Sequence, residues 1–382
     1  MKTSEVLFSL IKEEVFGVPC NFSGDFTFDE VALFNLARKH DLAHLIAGPV
    51  ERNRIKINDG ELYNKIIKRR KNAVARETRI ENASAIISEV FQNSGIDHIF
   101  LKGSVIRTLY PEPWMRTSCD IDVLIKEKDL ARATKALTEV GFETDGKKEF
   151  HDVSFYYSQI HLELHFSVLE NDPQTDGLLS KIWEHTVSAG GCEYKETNEF
   201  FVFHHVAHAA YHLLSGGCGI RFFIDLKLMM DKDFYDDNAL IALLNECNLV
   251  PCYEAFKNLV NVWFSGATPT ESTERLAKFV LKGGAFGNGK NALYVDLVKK
   301  KKSKFGYKLS LAFLPYGDMC VLYPSLKGRG ILLPFYYLHR IFIKLFGKDR
   351  QRARMRLKMI DEGKTDVLTD AEMLIRDLGL DR

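Results

Sequence analysis

A chain of 382 residues is long enough for two or three packed domains, and its 46% hydrophobic and 27% charged residues exclude a compositionally disordered polypeptide. The formal net charge of +1 provides no global attraction to a polyanion, so nucleic acid is not implied as a partner. Seven scattered cysteines without a C-x-x-C pair make neither a zinc framework nor a disulfide scaffold, which suits a reducing cytoplasm.

The first seventeen residues carry Glu5, Glu13 and Glu14 among their apolar positions, a pattern of an amphipathic helix and not of a secretory signal. Apolar residues then recur at helical steps through Val31, Leu33, Leu36, Leu42 and Leu45. Residues 62–93 read as one long helix with Leu62, Ile66, Ala73, Ile80, Ala83, Ile87 and Val90 as its buried seam; KRRK at 68–71, Arg76, Arg79 and Glu81 fall on wetter faces. Gly95 ends that helix and the pattern changes to a β-rich run at 96–103. A helical turn at 104–110, a strand at 119–125, an amphipathic helix at 128–140 closed by Gly141, and strands near 153–158 and 160–166 follow. The fold class is therefore α+β: a small mixed sheet flanked by helices at 96–170, with a helical region at 1–95, another at 171–282 and a basic, aromatic C-terminal region at 283–382. In that last region residues 331–347 are apolar but too short, and too interrupted by Pro334, Arg340 and Lys344, to span a bilayer.

Chemistry concentrates in the α/β segment. Asp120 and Asp122 project from one face of a strand whose Ile121 and Val123 face the other way, and two like charges in a dry setting call for a bound cation. Lys102, Gly103 and Ser104 sit where a strand passes into a helix, a place where backbone N–H groups can receive phosphate oxygens. In QIHLELHF, 159–166, His161, Glu163 and His165 alternate with apolar residues, so Glu163 completes an acidic triad if this strand lies beside 119–125. His161, Glu163 and His165 alone make a poor zinc site, because alternate residues of one strand do not wrap an ion. His204, His208 and His212 repeat every four residues on a helix, and Arg221 and Asp225 have the spacing of a helix pair.

LKGS, MRTSCDIDVLI and HLELHF, taken in that order, resemble the nucleotidyltransferase superfamily whose prototype is DNA polymerase β, and its bacterial nucleotidyltransferase branch in particular. The resemblance covers the α/β segment best; FHHVAHAAYHLL, IDLKLMM, LPYGDM and LPFYYLHR extend it more loosely. It implies Mg²⁺ (or Mn²⁺) held by Asp120, Asp122 and Glu163, with Glu163 either completing the metal site or accepting the acceptor hydroxyl's proton, an NTP such as ATP bound at Lys102, Gly103, Ser104 and Arg116, and transfer of a nucleoside monophosphate to a hydroxyl-bearing acceptor. The segment from 105 to 119 is longer than is usual between the Gly-Ser turn and the D-x-D strand. The alternative from another class is a nucleotide-binding regulatory protein with slow or no turnover, distinguished by whether the three acids converge. A further expectation concerns the C-terminal region, where Phe335, Leu338, Phe342, Leu345 and Phe346 share a helical face among Arg340, Lys344, Lys348, Arg350, Arg352, Arg354 and Arg356, a pattern suited to peripheral contact with an anionic membrane.

Overall fold

The computed structural model describes residues 2–20, 22, 27–148, 150–300, 304–347, 350–362 and 365–381. The N-terminal region holds helices α1 (Thr3–Phe16), α2 (Glu30–Lys39) and α3 (Ala47–Glu51). The Asp29 carboxylate starts α2 by accepting the Ala32 N–H at 2.8 Å. Leu33, Phe34 and Ala37 turn inward, whereas Val31, expected among them, is exposed because it lies a turn's fraction off their face. Helix α4 (Gly60–Ser94) begins at Asp59, which accepts the Glu61 and Leu62 N–H groups, and stops where Gly95 takes a left-handed conformation with φ 63°. Its seam buries Leu62, Ile66, Ala73, Ile80, Ala83 and Ile87, together with one acid, Glu77.

Six strands form one mixed sheet: β1 (His98–Phe100), β2 (Asp120–Ile125), β3 (Asp152–Tyr157), β4 (Ile160–His165), β5 (Thr186–Gly190) and β6 (Glu193–Glu196), in the order β3-β4-β2-β1-β6-β5. The β2–β4 and β1–β6 pairs are parallel and the other three pairs antiparallel. Strands β5 and β6 fall outside the 96–170 span expected for the sheet. They make an edge hairpin in which Val187, Ser188, Ala189 and Gly190 are exposed, so they lack the in–out alternation that announces a strand.

Short helices α5 (Gly103–Ile106), α6 (Leu130–Glu139) and α7 (Asp176–Leu179) connect the strands. One sheet face is apolar: Ile121, Val123 and Ile125 of β2 and Ile160, Leu162 and Leu164 of β4 pack with Ile80, Ala83, Ile87 and Phe91 of α4 and Ala133 and Leu137 of α6. The opposite face carries the polar residues of β2 and β4. It is approached by α8 (Asn198–Leu214) and α9 (Ile220–Asp231), which α10 (Asp237–Glu246), α11 (Val250–Phe264) and α12 (Glu271–Gly283) follow in the chain. Their apolar residues join the N-terminal helices in the largest core, around Phe203, Phe223, Tyr253 and Phe256.

The C-terminal region continues as α13 (Gly289–Lys299), α14 (Lys304–Ala312), α15 (Tyr316–Leu322), α16 (Leu333–Phe346), α17 (Arg350–Glu362) and α18 (Thr365–Asp377). Leu374, Ile375, Leu378 and Leu380 return the chain end to the main core. Along α16, Phe335, Leu338, Phe342 and Phe346 are exposed, while Arg340 donates to the Leu311 and Ala312 carbonyls at 2.7 and 3.0 Å. Lys301, Lys302 and Lys348 lie outside the described residues, as do the side chains of Leu345, Arg352 and Arg356. Among the described residues no helix is long and apolar enough to cross a membrane.

Candidate active site

The parallel register of β2 and β4 sets Asp120 opposite His161 and Asp122 opposite Glu163, so the three acids expected to converge share the polar face of two adjoining strands. Carboxylate and imidazole atoms of Asp120, His161 and Glu163 lie within 4.8 Å of one another, and so do those of Asp122, Glu163 and His165. Glu163 belongs to both groups. Burial and the Asp122 and Glu163 charges raise the Asp120 pKa. Asp122, although burial opposes its charge, is held well below the usual carboxylate range by the Lys102 ammonium and by a 3.0 Å hydrogen bond with His165 Nε2. The same imidazole, 3.5 Å from Glu163, lowers that carboxyl's pKa; burial depresses His165 itself, but its two acidic partners outweigh burial and raise it. The two histidines of the strand do not share one ligand set: His161 Nε2 is 3.0 Å from Ser154 Oγ, and His165 stacks on His151 at 5.3 Å.

Lys102 reaches this face from the end of β1. Its Nζ is 3.2 Å from Asp122 Oδ1, and its backbone, at φ 46° and ψ −113°, lies outside the conformations L-residues favour. Gly103 opens α5 and is buried against Ser118. The Ser104 N–H donates to the Leu101 carbonyl at 3.1 Å and the Val105 N–H to the Lys102 carbonyl at 3.1 Å, so the turn spends these donors on its own closure.

Arg116 does not reach the acids of β2 and β4. Its Nε bonds both oxygens of the fully buried Asp225 at 2.9 and 3.0 Å, and Tyr110 donates its hydroxyl to the same carboxylate at 2.7 Å. Arg221, spaced as a helix partner for Asp225, instead donates to Asp41 at 3.1 Å and the Thr117 carbonyl at 2.8 Å. A second buried guanidinium, Arg107, bonds Glu77 at 2.6 Å and Ser118 Oγ at 2.9 Å. Together with Arg76, which donates to the Cys119 carbonyl at 2.6 Å, these ties fix residues 116–119 just ahead of Asp120. They account for the ordered path of the long segment between the turn and the D-x-D strand. Glu77 left a readable signal, since it is the charge at a seam position of α4 between Ala73 and Ile80.

A cavity of about 290 Å³ collects Lys102, Gly103, Asp120, Asp122 and Glu163 on one wall and His205, His208 and His212 of α8 on another. Arg116 and Arg221 also line it; Ser104 does not. His208 Nδ1 is 2.7 Å from Glu170, and His212 Nε2 is 3.0 Å from His208 Nε2. Burial, then the charges of Lys102 and His212, push His208 well below the ordinary histidine value. His204 turns from the cavity to Glu196 at 2.9 Å. Each possible donor group is thus two carboxylates and one imidazole at the wall of an open cavity, with Glu163 common to both, and the preponderance of hard carboxylate oxygens fits Mg²⁺ or Mn²⁺ better than a soft metal.

A family model described as an uncharacterised nucleotidyltransferase matches residues 27–265, which hold the whole sheet, all three acids and the helices that wall the cavity. No curated protein and no solved structure matches the chain.

Proposed function

The chain belongs to the uncharacterised nucleotidyltransferase family, and from that premise we propose a metal-dependent enzyme that transfers a nucleoside monophosphate from an NTP to a hydroxyl-bearing acceptor. The observation that supports this most is the register that sets Asp122 beside Glu163 with Asp120 two residues away. Asp120, Asp122 and Glu163 would hold Mg²⁺ or Mn²⁺, which when bound neutralises triphosphate charge and lowers the pKa of a coordinated hydroxyl. Lys102, already an ion-pair partner of Asp122, turns its ammonium to phosphate oxygens, and Gly103 lets the chain approach them closely. The acceptor oxygen attacks the α-phosphorus, the bond to the bridging oxygen breaks, and pyrophosphate leaves. Glu163, more accessible than Asp122, is placed either to complete the metal site on the acceptor side or to take the hydroxyl proton. His165 is a positioning residue that fixes both carboxylates. The placement of the three acids on one sheet face, with Glu163 grouped with each aspartate, supports turnover over the binding-only alternative, and seven free cysteines support a cytoplasmic setting.

Transfer of label from each α-labelled NTP into a cell extract, with Mg²⁺ or Mn²⁺, tests the proposal. Asp122→Asn keeps volume but removes the charge, and a loss of about 4 kcal/mol of transition-state stabilisation would slow transfer roughly a thousandfold while the fold survives. Undiminished transfer in that variant would remove Asp122 from the mechanism. No transfer by the wild type with any NTP would return the protein to the binding class.

A further inference from the structure

A second cavity, of about 430 Å³, shares Ser118 and Cys119 with the active-site cavity but has the opposite charge. Arg69, Asn72, Arg76 and Arg79 enter it from one face of α4, at successive steps of three, four and three residues, and Arg38 faces them from α2. Its one carboxylate, Asp41, is already bonded to Arg221 and Thr117. Among the described residues none of the four arginines is in an ion pair, and the buried Arg76 Nε has no hydrogen-bond partner. Four guanidiniums without a carboxylate partner, Arg38 and Arg69 exposed and Arg76 and Arg79 half-buried, line one open pocket, where an anion offsets their mutual repulsion and their planar forks match phosphate oxygens.

We propose that this cavity binds phosphate groups of a substrate during transfer, so that residues 117–119 divide a cation-binding acidic site from an anion-binding basic one. The inference rests on the nucleotidyl-transfer reading above and adds the chemistry of a second subsite to it. Either the NTP's own phosphate tail or a phosphate-bearing acceptor supplies that chemistry, and the test separates them. Calorimetry with inorganic pyrophosphate, inorganic phosphate and a non-hydrolysable NTP analogue is run on the wild type and on the double variant Arg38→Gln/Arg69→Gln, whose side chains bond nothing among the described residues. Pyrophosphate affinity falls roughly tenfold in the variant. An NTP analogue that weakens in parallel identifies the triphosphate as the occupant; one that binds unchanged identifies an acceptor phosphate. Equal affinity of wild type and variant for all three probes overturns the proposal. Asp122→Asn, which leaves the arginines in place, keeps pyrophosphate binding, so loss of transfer in that variant reports on the catalytic reading and not on this one.

A different observation carries a second inference. Helix α16 packs Leu333, Tyr336 and Tyr337 against Met319, Cys320 and Leu326, and its other face is bare: Ile331 before it and Phe335, Leu338, Phe342 and Phe346 along it are each 62–87% exposed. Their spacing of three and four residues makes one stripe. Residues 299–358 hold sixteen Lys and Arg against two acids, Asp318 and Asp349, in a chain whose net charge is +1, so the rest of the chain is net negative. A bare apolar stripe in the one strongly cationic region is complementary to anionic lipid and not to an acid-poor protein surface.

We infer that α16 seats this protein on an anionic bilayer surface. Sedimentation with phosphatidylcholine vesicles, with and without phosphatidylglycerol, tests it on the full chain. Binding occurs only with the anionic lipid, weakens in high salt, and falls about tenfold in Phe335→Ser/Phe342→Ser, a pair outside any packed core. Absence of binding to anionic vesicles, or concentration-dependent self-association that the serine pair abolishes without any vesicle binding, overturns the inference.

Discussion

Replacing Asp225 with asparagine perturbs a deeply buried charge pair behind the candidate site. The carboxylate is completely buried and accepts Arg116 Nε at 2.9 and 3.0 Å and the Tyr110 hydroxyl at 2.7 Å. The amide would fill the same volume but turn an N–H₂ group toward these donors and leave the buried Arg116 guanidinium without a counter-charge. Breaking one partner of such a pair costs about 3–5 kcal/mol. At ~2.1 cal/mol/K of unfolding entropy per residue, 382 residues give ~0.8 kcal/mol/K, so a cost of ~4 kcal/mol lowers the melting temperature by ~5 °C. Differential scanning calorimetry at neutral pH measures it. Glu61→Gln is the control: it removes an exposed i,i+4 pair with Lys65 and costs under ~0.5 kcal/mol, less than ~1 °C. Replacing both members, Arg116→Met with Asp225→Leu, recovers most of the loss because no orphaned charge remains. A melt of Asp225→Asn indistinguishable from that of Glu61→Gln would refute the claim that this pair holds residues 116–119 in place.

Mg²⁺ or Mn²⁺ at ~100 times its dissociation constant stabilises the folded wild type by ~2.7 kcal/mol and raises its melting temperature by ~3 °C; chelation reverses the gain and Asp122→Asn does not show it, so an equal gain in both proteins would place the cation elsewhere. Glu13 is pushed upward by burial, yet the Cys20 N–H and the guanidiniums of Arg54 and Arg52 hold its pKa at about 2, against an ordinary 4.5. With the folded pKa depressed, its contribution to stability is full above pH 4.5 and is lost as pH falls toward 2. Glu13→Gln, followed by urea unfolding across that window, loses stability at pH 7 and shows a shallower acid decline than the wild type; parallel curves would show that Glu13 does not carry the linkage.

The sequence exposed those parts of the fold whose determinants are local. Helix α4 is legible because its seam runs for about eight turns and both of its ends carry cap residues, and β2 and β4 are legible because every second residue is apolar. Strands β5 and β6 were not, since β5 is exposed beyond Thr186 and β6, four residues long, buries a charge, Glu196, at its end in place of an apolar period. Side-chain partners were the least legible. Nothing near Arg116 in sequence indicates that it meets Asp225, 109 residues on, or that Arg221 passes over its neighbour four residues away for Asp41, 180 residues back. The segment 105–119 looked long for the same reason: its anchors, Arg76, Glu77, Arg221 and Asp225, come from other parts of the chain.

The pairing of β2 with β4 has a consequence for how mutations and folding errors are tolerated. Asp122 and Glu163 face each other because Ile121, Val123, Leu162 and Leu164 are locked into the apolar layer beneath. A slip of one residue would turn Glu163 into that layer and bring a leucine up beside Asp122, at the cost of burying one charge and exposing several aliphatic side chains at once. The hydrophobic side of the sheet thus proofreads the polar side. Conservative changes at the apolar positions weaken this fidelity before they unfold the protein, and an enzyme can then lose its chemistry through a leucine that never touches a substrate.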